Sequence, residues 1–174
     1  MSAVFSDGQE VNRDALIAMM AAILVKDYPN STIVTDSVTS DKLTAFLEGE
    51  LQLKHHRFQR GYKNVINECK RLNEEGVVSP LAIETSGHGA LKENYYLDDG
   101  AYMAVKLLIA AAKTKAEGKT LNSLIEKLEP QFETAEYRLK LKGEDFKAYG
   151  AKVLETFTAR AKEKGYHIVT PNYE

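Results

Sequence analysis

Apolar and polar positions switch between a helical and a strand period along the first two thirds of the chain. Residues 14–26 are apolar nearly all round, which predicts a buried helix capped by Asn12 or Asp14. Tyr28-Pro29-Asn30 ends it, because proline cannot continue a helix. The β-branched run at 32–35 predicts a buried strand. Ser37, Thr39 and Ser40 then offer capping oxygens to a helix ending near Gly49, and residues 51–54 form a second strand candidate. Residues 62–75 read as a helix stopped by Gly76, with Val65, Ile66, Cys69 and Leu72 on one stripe. Residues 80–83 and 94–97 read as strands, and 98–115 as a long helix with Gly118 beyond its end.

The last third changes character. Residues 120–128 predict a short helix bearing Leu121, Leu124, Ile125 and Leu128, closed by Pro130. Residues 137–142 alternate apolar and basic as a half-exposed strand does, and 166–170 resemble another. Between them, 144–164 predicts a helix with Phe146, Tyr149, Val153, Leu154 and Phe157 on one face. Strands alternating with helices imply a layered α/β domain with a mixed, mostly parallel sheet over residues 1–118. Residues 119–174 read as a linker and a partial α+β segment.

Composition narrows the class. Of 174 residues, 44% are hydrophobic and 28% charged, ordinary for a soluble globular chain with a real core. A formal charge of −2 offers no basic field for nucleic acid, and no apolar run is long enough to span a bilayer. The single cysteine, Cys69, excludes an internal disulfide and a multi-cysteine zinc cage, and its place on an apolar stripe reads as packing. His55 and His56 are adjacent, so a strand there points them to opposite faces and no shared metal is expected. A cytoplasmic protein is the expectation.

In open α/β sheets, ligands sit outside the carboxyl ends of the strands. Glu84 lies at such an end, followed by Thr85, Ser86, Gly87 and His88. A carboxylate accepts hydrogen bonds while hydroxyls both donate and accept, which suits Glu84 and Ser86 to vicinal sugar hydroxyls. Gly87 permits close approach of backbone to ligand, and His88 can donate to a phosphate oxygen or carry a proton. Asp98 and Asp99 precede a helix and read as capping residues. Ser86 is not on a nucleophile elbow, since Glu84 stands where the first glycine belongs, so a Ser86–His88–Asp98 hydrolase is disfavoured. On physical grounds alone, a structural polar turn remains open.

The segment "IETSGHGALKENYYLDDGAYMAVKLL" resembles the third domain of the α-D-phosphohexomutases, the phosphoglucomutase/phosphomannomutase superfamily. Glu84, Ser86, Gly87 and His88 match that family's Gly-Glu-x-Ser-Gly-His sugar-binding loop, with Ile83 in place of the glycine. Asp98, Asp99 and Gly100 match its Asp-Asp-Gly, and Gly61, Tyr62 and Lys63 resemble its Gly-aromatic-Lys segment. Val38 stands where many members carry a basic residue. The resemblance covers residues 4–115. It implies that Glu84 and Ser86 hold sugar hydroxyls, that Lys63 and His88 line the same cleft, and that a proton-transfer role for His88 is the weaker expectation. It also implies a parent enzyme that interconverts hexose 1- and 6-phosphates through a phosphoserine, magnesium and a hexose 1,6-bisphosphate.

The phosphoserine, metal and fourth-domain phosphate loops of that family have no match in these 174 residues. The chain is therefore expected to be a piece of a longer enzyme, comprising the third domain and the start of the fourth. No catalytic residue, metal or cofactor of its own is expected. Its expected partners are a hexose phosphate and the remaining domains of the same polypeptide. A stand-alone sugar-phosphate binding module is the alternative.

Overall fold

The computed structural model describes residues 1–5, 7–130, 140 and 145–168. The chain forms two compact units, one containing Met1–Gln131 and the other Phe132–Thr170.

The larger unit opens with a short antiparallel pair, β1 (Ala3–Val4) and β2 (Glu10–Val11). Helix α1 (Arg13–Leu24) follows, its Leu16, Ile17, Met19 and Met20 fully buried. Asn12 takes the N-cap position without a side-chain cap bond, its Nδ2 donating instead to Glu10 at 2.7 Å. Asp14 is engaged elsewhere, accepting from the Ser40 amide (3.1 Å) and hydroxyl (2.6 Å) across the fold. Strand β3 (Thr32–Asp36) is buried throughout. Helix α2 (Asp41–Ala45) is capped by Ser40, whose Oγ accepts from the Leu43 amide, and runs on into a π-helical turn, Phe46–Glu50.

Strand β4 (Lys54–Phe58) lies further along than the apolar pattern at 51–54 predicts. Leu53 is instead a core plug in the connection. The strand itself reads Lys-His-His-Arg-Phe, polar in sequence because its inward groups are satisfied by hydrogen bonds rather than by apolar contact. Helix α3 (Tyr62–Glu74), strand β5 (Leu81–Ile83) and strand β6 (Gly89–Leu91) follow. The strand expected at 94–97 is absent. Tyr95 and Tyr96 are left-handed, at φ 55° and 58°, and turn the chain into α4 (Gly100–Ala116). The strand that does form, β6, is hidden in Gly-Ala-Leu, a composition with little β propensity.

The four-stranded sheet has the order β4-β3-β5-β6, with β3 parallel to β4 and β5, and β6 antiparallel to β5. Register fixes which side chains share a face. Ile33 pairs with His55 and Leu81, so these three share one face, as do Thr35, Arg57 and Ile83. Val34, His56 and Ala82 share the other, with Asp36 and Phe58. The first face carries the large core, where Ile33, Leu81, Ile83 and Leu91 meet α1, Leu43 and Met103. The second carries a smaller one, in which Val34 and Ala82 meet Val65, Cys69 and Leu72 of α3. Cys69 is buried and its Sγ lies 3.2 Å from Ser79 Oγ; burial pushes the thiol up to about 11. Leu121, Leu124, Ile125 and Leu128 also pack on the large core, around a 3-10 turn at Leu121–Leu124.

The smaller unit contains α5 (Phe146–Glu163), capped by Asp145, which accepts from the Ala148 amide at 3.1 Å. Its Phe146, Tyr149, Leu154 and Phe157 are exposed. The strand expected at 137–142 lies outside the described residues apart from Lys140, as do positions 169 and 170. Residues 166–168 form no strand, having no strand pairing among the described residues.

Candidate functional site

The carboxyl ends of β3, β4 and β5 lie side by side by virtue of their parallel pairing, and the chain leaves each into a polar turn. After β5 the turn is tight. Glu84 N–H donates to the His88 carbonyl and Gly87 N–H to the Glu84 carbonyl, both at 2.9 Å. Gly87 sits at φ 89°, a left-handed conformation that a side chain would strain.

Glu84 is buried, 6% exposed, and both carboxylate oxygens are engaged. Oε1 accepts from the Gly61 amide at 2.7 Å and Oε2 from the Ser86 hydroxyl at 3.0 Å. The first bond ties the turn to the start of α3, which Gly61 enters at φ 120°. The second fixes the direction of the Ser86 hydroxyl, so that its lone pairs face outward as acceptors. Ser86 itself is exposed.

On the far side of the turn, Asp98 braces His88. One carboxylate oxygen lies 2.6 Å from His88 Nδ1 and the other accepts from the Gly89 amide at 3.0 Å. Because a carboxylate only accepts, Nδ1 carries the proton and Nε2 is left for another partner. The imidazole, about half exposed, stacks on Tyr62 with ring centroids 5.1 Å apart. Lys63 Nζ lies 6.0 Å from the Tyr62 ring centroid. Glu84, Ser86, Gly87, His88, Gly61, Tyr62 and Lys63 are thus brought together at one edge of the sheet.

Asp98 does not cap a helix, contrary to expectation. Only Asp99 does, accepting from the Tyr102 amide at 3.0 Å. Asp98 bridges Ala90 in extended backbone and Asp99 continues it, so the two successive aspartates point in different directions. The sequence reading gave one orienting residue no role. Asp36, at the end of β3, accepts from Thr85 with both oxygens: the amide at 3.0 Å and the hydroxyl at 2.7 Å. Burial raises its carboxyl above the usual range and the neighbouring Glu84 charge adds to that, while the Thr85 bonds offset part of the rise. An acid closing a β-branched run at a carboxyl edge was the available signal. Val38, two residues on, is exposed and supplies no charge there.

An α/β/α domain with a polar turn at the carboxyl edge is the class that fold and site define. The family model described as phosphoglucomutase/phosphomannomutase, alpha/beta/alpha domain III, matches residues 12–132. The chain belongs to that family. Among solved structures it is similar to a phosphoglucomutase/phosphomannomutase family protein from Burkholderia thailandensis, with TM-score 0.59 and 26% identity over 74% of this chain and 26% of that one. A putative phosphomannomutase from Thermus thermophilus shares the fold, with TM-score 0.59 and 20% identity over 73% of this chain and 27% of that one. The chain therefore spans about a quarter of the length of these structures. No curated protein matches it. Among the described residues, no helix is long and apolar enough to cross a membrane.

Proposed function

We propose that this chain is the sugar-recognition part of a phosphohexomutase that interconverts hexose 1-phosphate and hexose 6-phosphate, with glucose, mannose or both as the hexose. The reaction runs through a phosphoserine and a hexose 1,6-bisphosphate carried elsewhere in the polypeptide. The observation that carries this reading is the Glu84–Ser86 pair at the carboxyl edge, oriented from behind by the Gly61 amide. Ser86 Oγ accepts from one sugar hydroxyl, and the unused lone pairs of Glu84 accept from its neighbour. His88 Nε2, left an acceptor by the proton on Nδ1, would take a sugar hydroxyl, and the Lys63 ammonium a phosphate oxygen. His88 as a proton carrier is the lesser part of the proposal.

The chain by itself recognises and does not react. Phosphoryl transfer depends on positioning and on stabilising charge. Magnesium, which the family implies for the whole enzyme, would be held by residues elsewhere in the polypeptide. The partners proposed are a hexose phosphate and the remaining domains of the same polypeptide, in the cytoplasm.

The test is a titration of isotopically labelled chain with glucose 1-phosphate and mannose 1-phosphate. Amide shifts confined to residues 61–63 and 84–88 at millimolar sugar are expected, since one wall of a cleft buries little of its ligand. They should vanish in Glu84→Ala. Shifts centred elsewhere would overturn the reading, as would turnover of glucose 1-phosphate by the pure chain with bisphosphate present.

A further inference from the structure

We propose that Asp36 is a positioning residue for the turn that bears Glu84 and Ser86, acting through Thr85 rather than by touching the sugar. The inference rests on the sugar-binding reading above and deepens it. Thr85 lies between the two residues proposed to meet the hexose, and both of its polar donors, amide and hydroxyl, end on Asp36. A residue held at two points cannot rotate about either bond alone. Its neighbours' side chains therefore inherit a fixed direction. Asp36 in turn is anchored on β3, which pairs with both β4 and β5, so a strand held from both sides sets the angle of the turn.

The arrangement is unfavourable if its purpose is stability alone. Asp36 is 1% exposed and faces the Glu84 carboxylate beyond the end of β5. Among the described residues no salt bridge reaches it from β4: Arg57 points to the other sheet face and pairs with Asp41 at 2.7 Å, His55 is held neutral on that face, and His56, on the face of Asp36, lies 2.9 Å from Glu68. Burial thus makes the ionised form costly. A neutral or apolar side chain would fill the position with less penalty, but a carboxylate offers each Thr85 donor its own oxygen, where an asparagine of the same shape keeps only one acceptor oxygen.

Three measurements on the full chain test this. Thr85 amide exchange and its shift as a function of pH report the hold directly, without sugar. In the wild-type chain the Thr85 amide should titrate with an acid midpoint above the usual carboxylate range, while Asp36→Asn should lose that midpoint and exchange about tenfold faster, as loss of one charge-assisted bond implies. The hexose phosphate dissociation constant should rise about tenfold in Asp36→Asn. Asp36→Glu should restore part of the affinity. Thr85→Val keeps the amide bond, removes the hydroxyl arm and provides the same comparison should Asp36→Asn not fold. Unchanged amide exchange at position 85 in both variants, or an unchanged acid midpoint in Asp36→Asn, would overturn the positioning role. Wild-type chain that binds neither sugar phosphate, yet shows the Thr85 titration, would sink the sugar reading and leave the hold of Asp36 on the turn established.

Discussion

His55 and His56 follow one another on β4, yet the two faces of the sheet treat them in opposite ways. His55 is caged by hydroxyls, with Thr35 Oγ1 2.8 Å from Nε2 and Thr44 Oγ1 2.7 Å from Nδ1. Burial first, then the Arg57 charge, lowers its pKa to about 3. His56, across the strand, lies 2.9 Å from the buried carboxylate of Glu68, which also accepts from Arg71 at 2.7 and 2.8 Å. One face thus holds its histidine neutral between two hydroxyls over a large apolar core, and the other sets its histidine against a carboxylate over a small one. The polar turn grows from the second: Asp36 shares its face, and Glu84 reaches the start of α3. Polarity at the site continues an environment already charged.

Packing should separate the faces most strongly. Leu16→Ala, fully buried in the large core, should cost about 3–4 kcal/mol, whereas Leu72→Ala at the margin of the small one should cost about 2 kcal/mol. Chemical denaturation at pH 7 measures both; equal losses would erase the distinction.

Acid should separate them next. His55 binds a proton more weakly folded than unfolded, so its cost begins as pH falls below 6.5 and grows toward about 3. At about 1.4 kcal/mol per pH unit, that is about 2 kcal/mol by pH 5. The Glu68 carboxyl is held below its ordinary value, chiefly by the Arg71 hydrogen bond, so its contribution is intact at pH 5 and is lost only as pH falls below 4.5. Stability lost between pH 6.5 and 5 should therefore disappear in His55→Gln and persist in Glu68→Gln. A loss that survives His55→Gln would place the acid sensitivity elsewhere.

The smallest effect expected is that of Glu68→Gln at neutral pH, about 1 kcal/mol, because Arg71 is half exposed and water screens the pair. A loss of several kcal/mol would mean that the charged face carries more of the fold than its geometry indicates.

These contrasts also mark what could be read from sequence. α1, β3, α3 and α4 announce themselves because their inward positions are apolar. β4 does not, because His55 and His56 point inward and are satisfied by hydrogen bonds invisible in one dimension. β6 fails for a different reason: Gly89-Ala90-Leu91 pairs with β5 through backbone alone. At the site, the segment from Glu84 to His88 stood out through its concentration of polar groups at a strand end. The residues that orient it did not. Asp98 looked like a cap, and distinguishing it from Asp99 requires the bridge of Asp98 to Ala90, a tertiary contact. Asp36 is 49 positions from the Thr85 it holds, and only the pairing of β3 with β5 brings them together.

The turn from Glu84 to His88 is closed by its own backbone, with a glycine at its one left-handed position. Such a segment has little ordering left to undergo when a ligand arrives. Capture of a hexose phosphate would then carry a small conformational-entropy penalty, and calorimetry would find the binding heat changing little when flanking surface residues are varied. Under the proposed sugar reading, selectivity between epimeric hexoses would on the same ground come from a fixed pattern of donors and acceptors that a wrong hydroxyl fails to meet, rather than from a loop that closes over the right one.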